Sequence, residues 1–243
     1  MKRRWLALVP ILLVIIMAVS SSRSAVNSGP KVIDPASVAY GRTYSEWSAA
    51  WEQWADSIPA SHHPLFDNGN CSTGQSGPVW FLGGKLCPIG ESCDLNNIVR
   101  NCTIPSAKAL YFPVLNDEDS AVEERIGNNA QDPALQQIAG LRSKNESLLG
   151  SASASCTVDG VPIQQLEQKF RVQSPAFSFT LPADNLFTSI YGKNFPAGTY
   201  FPGVDDGWFV MLAPLSPGRH VVQFQGKGRV WTINVRYNLN VVQ

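Results

Sequence analysis

Three histidines and 19 acidic residues bound the acid–base and metal chemistry open to this chain. Asp205 and Asp206 precede an apolar run, and the Pro217-Gly218 turn could fold His220 back toward them. A carboxylate that orients an imidazole is half of a hydrolase constellation. The plainer reading is favoured: a turn pair, and a histidine packed beside Val222 and Phe224. His62, His63 and Asp67 cluster in a loop and could hold zinc or copper through imidazole and carboxylate, although a solvated turn explains them as well. The acidic stretch from Asp117 to Glu124, with Asn116, offers hard oxygen ligands for calcium. It lacks the ligand spacing of a calcium loop and reads first as a solvated charge run. No Gly-x-Ser-x-Gly elbow, His-Glu-x-x-His, Cys-x-x-Cys, phosphate loop or dinucleotide fingerprint is present, and Gly74-Gln75-Ser76-Gly77 is one residue short of the elbow.

Aromatic residues offer another chemistry. Trp47, Trp51 and Trp54 could stack on the apolar face of a sugar. Their spacing favours a core role instead. With Tyr44 and Ile58 they recur at steps of three and four, the period of one helix face. Thr43 and Glu46 have the spacing of a capping box, and Pro59 ends the segment. Trp208 and Trp231, among apolar strand neighbours, also read as core.

The elements around this helix are mostly strands. Val79–Leu82 is a short apolar run between glycines. Ala109–Leu115 is a second strand, where Pro113 implies an edge or a bulge. Residues 116–150 break the β character and read as a helical insert, with Asp132-Pro133 as a helix start. Val158-Asp159-Gly160-Val161 is a two-residue hairpin. Asp205-Asp206-Gly207 reads as a turn into Trp208–Ala213, a central strand. From Trp231 to Val241, apolar and polar residues alternate without a break, the pattern of a strand with one buried face. Short turns between strands favour antiparallel pairing. The expected fold is mainly β: an antiparallel β-sandwich, jelly-roll or Ig-like, with an N-terminal Trp-rich helix and a helical insert.

Residues 1–25 read as a signal peptide: Lys2, Arg3 and Arg4, then an apolar run from Trp5 to Val19, then small residues. An uncleaved membrane anchor is the alternative, and the membrane is otherwise no partner. Residues 26–42 are an extended lead-in, and 43–243 one domain. Four of the 19 basic residues precede position 26 and all 19 acidic ones follow it, which leaves the exported chain net acidic. That argues against nucleic acid as a partner. All five cysteines lie in the exported part, where oxidation favours disulfides. Cys71 with Cys102 and Cys87 with Cys93 is the expected pairing; other pairings stay open. Cys156 is then left over, as a buried hydrophobe rather than a nucleophile.

The chain resembles a group of secreted, uncharacterised bacterial proteins. The likeness rests on Trp47-Ser48-Ala49-Ala50-Trp51-Glu52-Gln53-Trp54 followed by Ile58-Pro59, and on Cys71 to Gly83 with Gly74-Gln75 and Val79-Trp80-Phe81-Leu82. Further on, Cys102 stands before an apolar Pro-containing strand, and Asp206-Gly207-Trp208 leads through Leu215 to His220. The resemblance implies secretion and a β-rich fold, and brings no activity or catalytic residue.

The expected function is a secreted, disulfide-stabilised binding or structural module at the cell surface or in the periplasm, its ligand a carbohydrate or a protein. The alternatives are a secreted hydrolase acting on a polymer or ester, and a metal-dependent enzyme. No organic cofactor is expected; zinc, copper or calcium could bind at the clusters named.

Overall fold

The computed structural model describes residues 29–67, 69–229 and 231–243. The expected signal peptide lies outside these residues. No helix among them is long and apolar enough to cross a membrane.

Helix α1 spans Tyr44–Asp56, and both halves of its capping box form: the Glu46 N–H donates to Thr43 Oγ1 (3.2 Å) and the Thr43 N–H to Glu46 Oε2 (2.8 Å). Its aromatic stripe is buried, and so is a second stripe of Ser48, Glu52 and Asp56 at four-residue spacing. The helix is therefore enclosed on its apolar side and on much of its polar side.

Ten strands follow: β1 (Val79–Phe81), β2 (Ile98–Pro105), β3 (Ala109–Ser120), β4 (Ser153–Val158), β5 (Val161–Pro162), β6 (Arg171–Gln173), β7 (Phe177–Leu181), β8 (Gly198–Leu212), β9 (Gly218–Lys227) and β10 (Thr232–Val242). Helices α2 (Ile138–Leu149), α3 (Leu166–Lys169) and α4 (Leu186–Tyr191) lie between them. The strands form two five-stranded sheets. One runs β1-β3-β8-β6, with β7 also on β8; the other runs β2-β10-β9-β4-β5. They share one core, in which Phe112 of β3 stacks on Phe224 of β9, their ring centroids 5.3 Å apart.

The fold is mainly β, as expected, but its strand directions are mixed. β1 runs parallel to β3, and β2 parallel to β10. Short turns dictate antiparallel pairing only between consecutive strands. Here β1 reaches β3 by way of β2 in the other sheet, and β2 meets a partner more than a hundred residues on. Strand β2 lies between the two strands expected at Val79–Leu82 and Ala109–Leu115, where the sequence suggested none; Ile98, Cys102 and Ile104 are its buried face.

Two further expectations are corrected. The acidic stretch does not leave the sheet: β3 continues through Asn116, Asp117, Glu118 and Asp119 to Ser120 before the chain turns helical. Asp205-Asp206-Gly207 is not a turn; it sits inside the fifteen-residue β8. Apolar flanks carry both strands on through their charged ends. Pro113 does mark a register shift on β3, between Pro113 and Leu115, yet β3 is flanked on both sides rather than at an edge. The β4–β5 hairpin has Asp159 and Gly160 both at positive φ (53° and 78°), the geometry of a type I′ turn. Strand β10 alternates as its sequence does, with Val235, Tyr237, Leu239 and Val241 buried.

The disulfides join Cys71 to Cys102 and Cys87 to Cys93, a chemistry that suits an oxidising environment. Cys156 is buried and free, its thiol pushed up to about 12 by burial.

Candidate functional site: an acid-lined cavity

Strands β3 and β8 pair so that Glu118 opposes Asp205 and Asp117 opposes Asp206. Successive side chains on a strand point to opposite faces, so this ladder sorts its carboxyls onto two sides.

On one side lie Asp117, Asp119 and Asp206, and cations meet Asp119 and Asp206. Arg171 grips Asp206 with two bonds, Nε to Oδ1 at 2.9 Å and Nη2 to Oδ2 at 3.0 Å. Lys144 of α2 donates to Asp119 Oδ1 (2.6 Å) and to Glu124 Oε1 (2.5 Å). Burial pushes Asp119 up to about 9, with Glu123 adding to it and Lys144 opposing. Burial pushes Glu124 up too, but bonds from Lys144, Asp119 and Asn128 outweigh it and hold that carboxyl below its ordinary range.

The other side has no such compensation. Glu118 and Asp205 face the polar stripe of α1. Asn116 donates from Nδ2 to Glu52 Oε1 (2.7 Å) and to Asp205 Oδ1 (3.1 Å), tying helix to sheet. Glu123, just past β3, accepts from the Tyr191 hydroxyl of α4. Among the described residues, Glu52, Asp56, Glu118, Glu123 and Asp205 form no ion pair. Asp56 Oδ2, Glu118 Oε1, Glu123 Oε2 and Asp205 Oδ2 are buried without a hydrogen-bond partner. An ionised carboxylate in that position costs several kcal/mol, so such groups hold protons instead. All five carboxyls are raised. Burial is the leading cause for each, and for Glu52, Asp56 and Glu118 the neighbouring carboxyls add to it.

These groups border a cavity of about 360 Å³. Glu52, Asp56, Asn116, Asp117, Glu118 and Glu123 are in its lining; the rest is largely apolar, including Trp51, Leu115, Phe187, Ile190, Trp231 and Ile233. Lys85 is the cation in the lining, and its ammonium is 2.7 Å from Asp67 Oδ2. A second cluster, built on Phe177, Phe179, Phe187 and Phe195, holds α4 in place as one side of the cavity. An apolar pocket with a few convergent polar groups of shifted pKa is the usual form of a ligand or active site.

The sequence-derived candidates lie elsewhere or act differently. His220 is not beside Asp205 or Asp206. Its Nδ1 is 2.7 Å from Asp159 Oδ2 and its Nε2 is 2.9 Å from the Ser216 carbonyl oxygen. The Ser216 hydroxyl lies 3.4 Å from the same Nε2, and the pairing with Asp159 fastens the β4–β5 turn to β9. Asp205 is bonded to Asn116 behind the cavity lining, whereas Asp206 is paired with Arg171. His62, His63 and Asp67 do not converge. His62 is exposed and bonded to Ser61. His63 is fully buried, with Nε2 on the Ala55 carbonyl (2.9 Å) and Nδ1 accepting from the Leu65 N–H (3.1 Å). That arrangement fits a neutral ring, whose pKa burial lowers. Asp67 pairs with Lys85 and Arg100. Among the described residues no group of three or more His, Cys, Asp or Glu is arranged to hold a metal; in the acidic stretch, strand alternation sends neighbouring carboxyls to opposite faces. Trp47, Trp51 and Trp54 are buried and offer no open sugar platform. Their indole N–H groups donate to the carbonyls of Ala39, Leu82 and Thr73.

Glu52, Asp56, Glu118 and Glu123 were missed as a group. The signal was the spacing of Ser48, Glu52 and Asp56, three polar residues stacked on one line of a helix whose other face is aromatic.

No family model and no curated protein matches the chain. Among solved structures, a cysteine protease inhibitor from Entamoeba histolytica matches with 7% identity, over 60% of this chain and 88% of that one. Its TM-score is 0.20, a level at which the likeness carries no argument.

Proposed function

We propose that the protein is a secreted, disulfide-stabilised binding module built on a β-sandwich, and that its ligand occupies the acid-lined cavity. One observation carries this reading: five acidic residues that form no ion pair among the described residues line a largely apolar cavity. A purely structural core has no need of such groups, because apolar residues of similar volume are as stable or more so. A ligand is the simplest reason to keep them. The two disulfides and the resemblance to secreted bacterial proteins support an extracytoplasmic place.

A fragment screen read by methyl NMR tests the site. Hits should shift Leu115, Leu186, Ile190 and Ile233 together. Hits that leave these methyls unmoved and gather elsewhere would place binding outside the cavity and end this reading.

A second reading, a hydrolase, is favoured by the presence of both Glu118 and Glu123 in the cavity lining. Two carboxyls that share a proton divide into an acid and a base, the pair that glycosidic and peptide hydrolysis uses. Turnover of chromogenic glycosides or peptides that disappears in both Glu118→Gln and Glu123→Gln would establish it.

A further inference from the structure

We propose that the cavity selects an organic ammonium ion: an amine whose charged head sits among Asp56, Glu118 and Glu123 and whose apolar body lies against Trp51, Phe187 and Trp231. The inference rests on the cavity being the ligand site. What it adds is the ligand's charge and shape.

The first argument is the unfilled acceptors. Asp56 is 2% exposed and Glu123 8%, and each keeps one buried carboxyl oxygen without a partner, as does Glu118; all three residues line the cavity. An alkylammonium brings three N–H donors and no acceptor, which matches three acceptor oxygens with no donor. The second is charge. Lys85 turns away to Asp67, so no lining residue supplies the positive charge that would let these carboxyls ionise. A bound cation does. The gain is large, because charge-assisted hydrogen bonds strengthen where water is excluded.

The third argument is the aromatic wall. Trp51, Phe187 and Trp231 border the same space as the carboxyls. Aromatic rings attract a cation at their faces and a hydrocarbon body over their whole surface. A hydrated inorganic ion gains nothing from that wall, and an anion is repelled by the acidic one. A volume of about 360 Å³ is at the small end of ligand pockets, about 300–1,000 Å³, and suits one ring with a short aminoalkyl arm.

The test is calorimetry of the purified protein with 2-phenylethylamine and with its neutral counterpart, 2-phenylethanol. The amine should bind with one-to-one stoichiometry and at least tenfold more tightly than the alcohol. Asp56→Asn and Glu118→Gln, each near-isosteric and checked for folding by thermal melting, should weaken the amine at least tenfold and leave the alcohol unchanged. Equal affinity for amine and alcohol would overturn the charge preference while sparing the cavity as a ligand site. Failure of the amine to bind, with fragments still shifting the cavity methyls, would overturn the ammonium assignment alone. If one variant fails to fold, the amine–alcohol comparison on the unaltered protein still decides.

Discussion

Glu118 of β3 stands directly opposite Asp205 of β8, two acidic side chains on one rung of an antiparallel ladder. Like charges so placed destabilise a sheet, and the next rung repeats the pattern with Asp117 and Asp206. Arg171 answers the charge at the second rung; at the first, protons must. Stability therefore has a definite pH dependence. Asp117 is raised to about 7 and Asp119 to about 9, in each case by burial first and Glu123 next. The unfolded chain releases these protons near pH 4. The folded protein thus binds more protons than the unfolded chain above that point, and stability falls as pH rises. The contribution is complete below about pH 4 and is lost through about 7 and about 9. Glu124 and Asp67, held below their ordinary range by their lysine and arginine partners against burial, pull the other way in the acid limb. The expected result is a melting temperature roughly 5 °C higher at pH 5.5 than at pH 8.5. A curve that is flat or rises over that interval would show that Asp117 and Asp119 are ionised in the folded protein.

Removing one of these carboxyls should stabilise the fold. Glu118→Gln keeps the shape of the side chain and deletes a group that repels Glu123, Asp56 and Glu52. In urea unfolding at pH 8 the variant should gain about 1 kcal/mol, and at pH 4.5 the gain should vanish because the carboxyls are already neutral. A loss of stability at pH 8 would mean that Glu118 makes a structural bond its amide cannot replace.

The sequence made some of this visible and hid the rest, for physical reasons. The start and end of α1 follow from Thr43, Glu46 and Pro59, because capping chemistry is local. Strand β10 was plain because its outer face is wet and its inner face apolar. The charged ends of β3 and β8 were hidden. Asn116 to Asp119 and Asp205 to Gly207 have the composition of loops, and only tertiary pairing turns them into a ladder. Strand β2 was masked by its neighbours in the cysteine-rich stretch, since only Ile98, Cys102 and Ile104 mark its inner face. Glu52 and Asp56 were read past because a polar stripe on a helix normally faces water.

Lys144 is the counterweight on the neutralised side of the ladder. It serves Asp119 and Glu124, each only 2% exposed at the side chain, while its own side chain is 31% exposed. Lys144→Met should cost about 3 kcal/mol, the low end for stranding buried charge. Asp119→Asn in the same chain should restore part of the loss. A cost below about 1 kcal/mol in chemical denaturation would show that the two carboxyls neutralise each other by sharing a proton.

The two disulfides should contribute unequally. Cys71–Cys102 closes a separation of 31 residues and Cys87–Cys93 one of 6. Loop-closure entropy assigns about 4 kcal/mol to the first and about 2 kcal/mol to the second. The first also fastens β2, and with it the edge of the sheet that carries β10. Urea midpoints of the two paired Cys→Ser variants should fall in that order. The reverse order would mean that the short loop, which brings Leu86 and Leu95 to the cavity, matters more through its packing than through chain entropy.

Gly207 tests how closely the ladder is built. A Cβ at this position would lie 2.5 Å from Asn116 Cβ and 2.5 Å from the Leu115 carbonyl oxygen. Backbone cannot yield as a flexible side chain can, so Gly207→Ala must push β3 away from β8. Overpacking of this kind costs about 1–3 kcal/mol. The displaced residue is Asn116, whose amide bridges Glu52 and Asp205. The variant should therefore lose more than stability: the link between α1 and the sheet loosens, and amide exchange along α1 should quicken relative to β10. Gly226→Ala supplies the comparison, since its added Cβ would meet Leu115 at 2.7 Å and the Val114 carbonyl oxygen at 2.9 Å from β9 in the other sheet. Faster exchange in α1 for Gly207→Ala and not for Gly226→Ala would mark Asn116 as the tie that sets the cavity's width. Equal effects would reduce both to ordinary core strain.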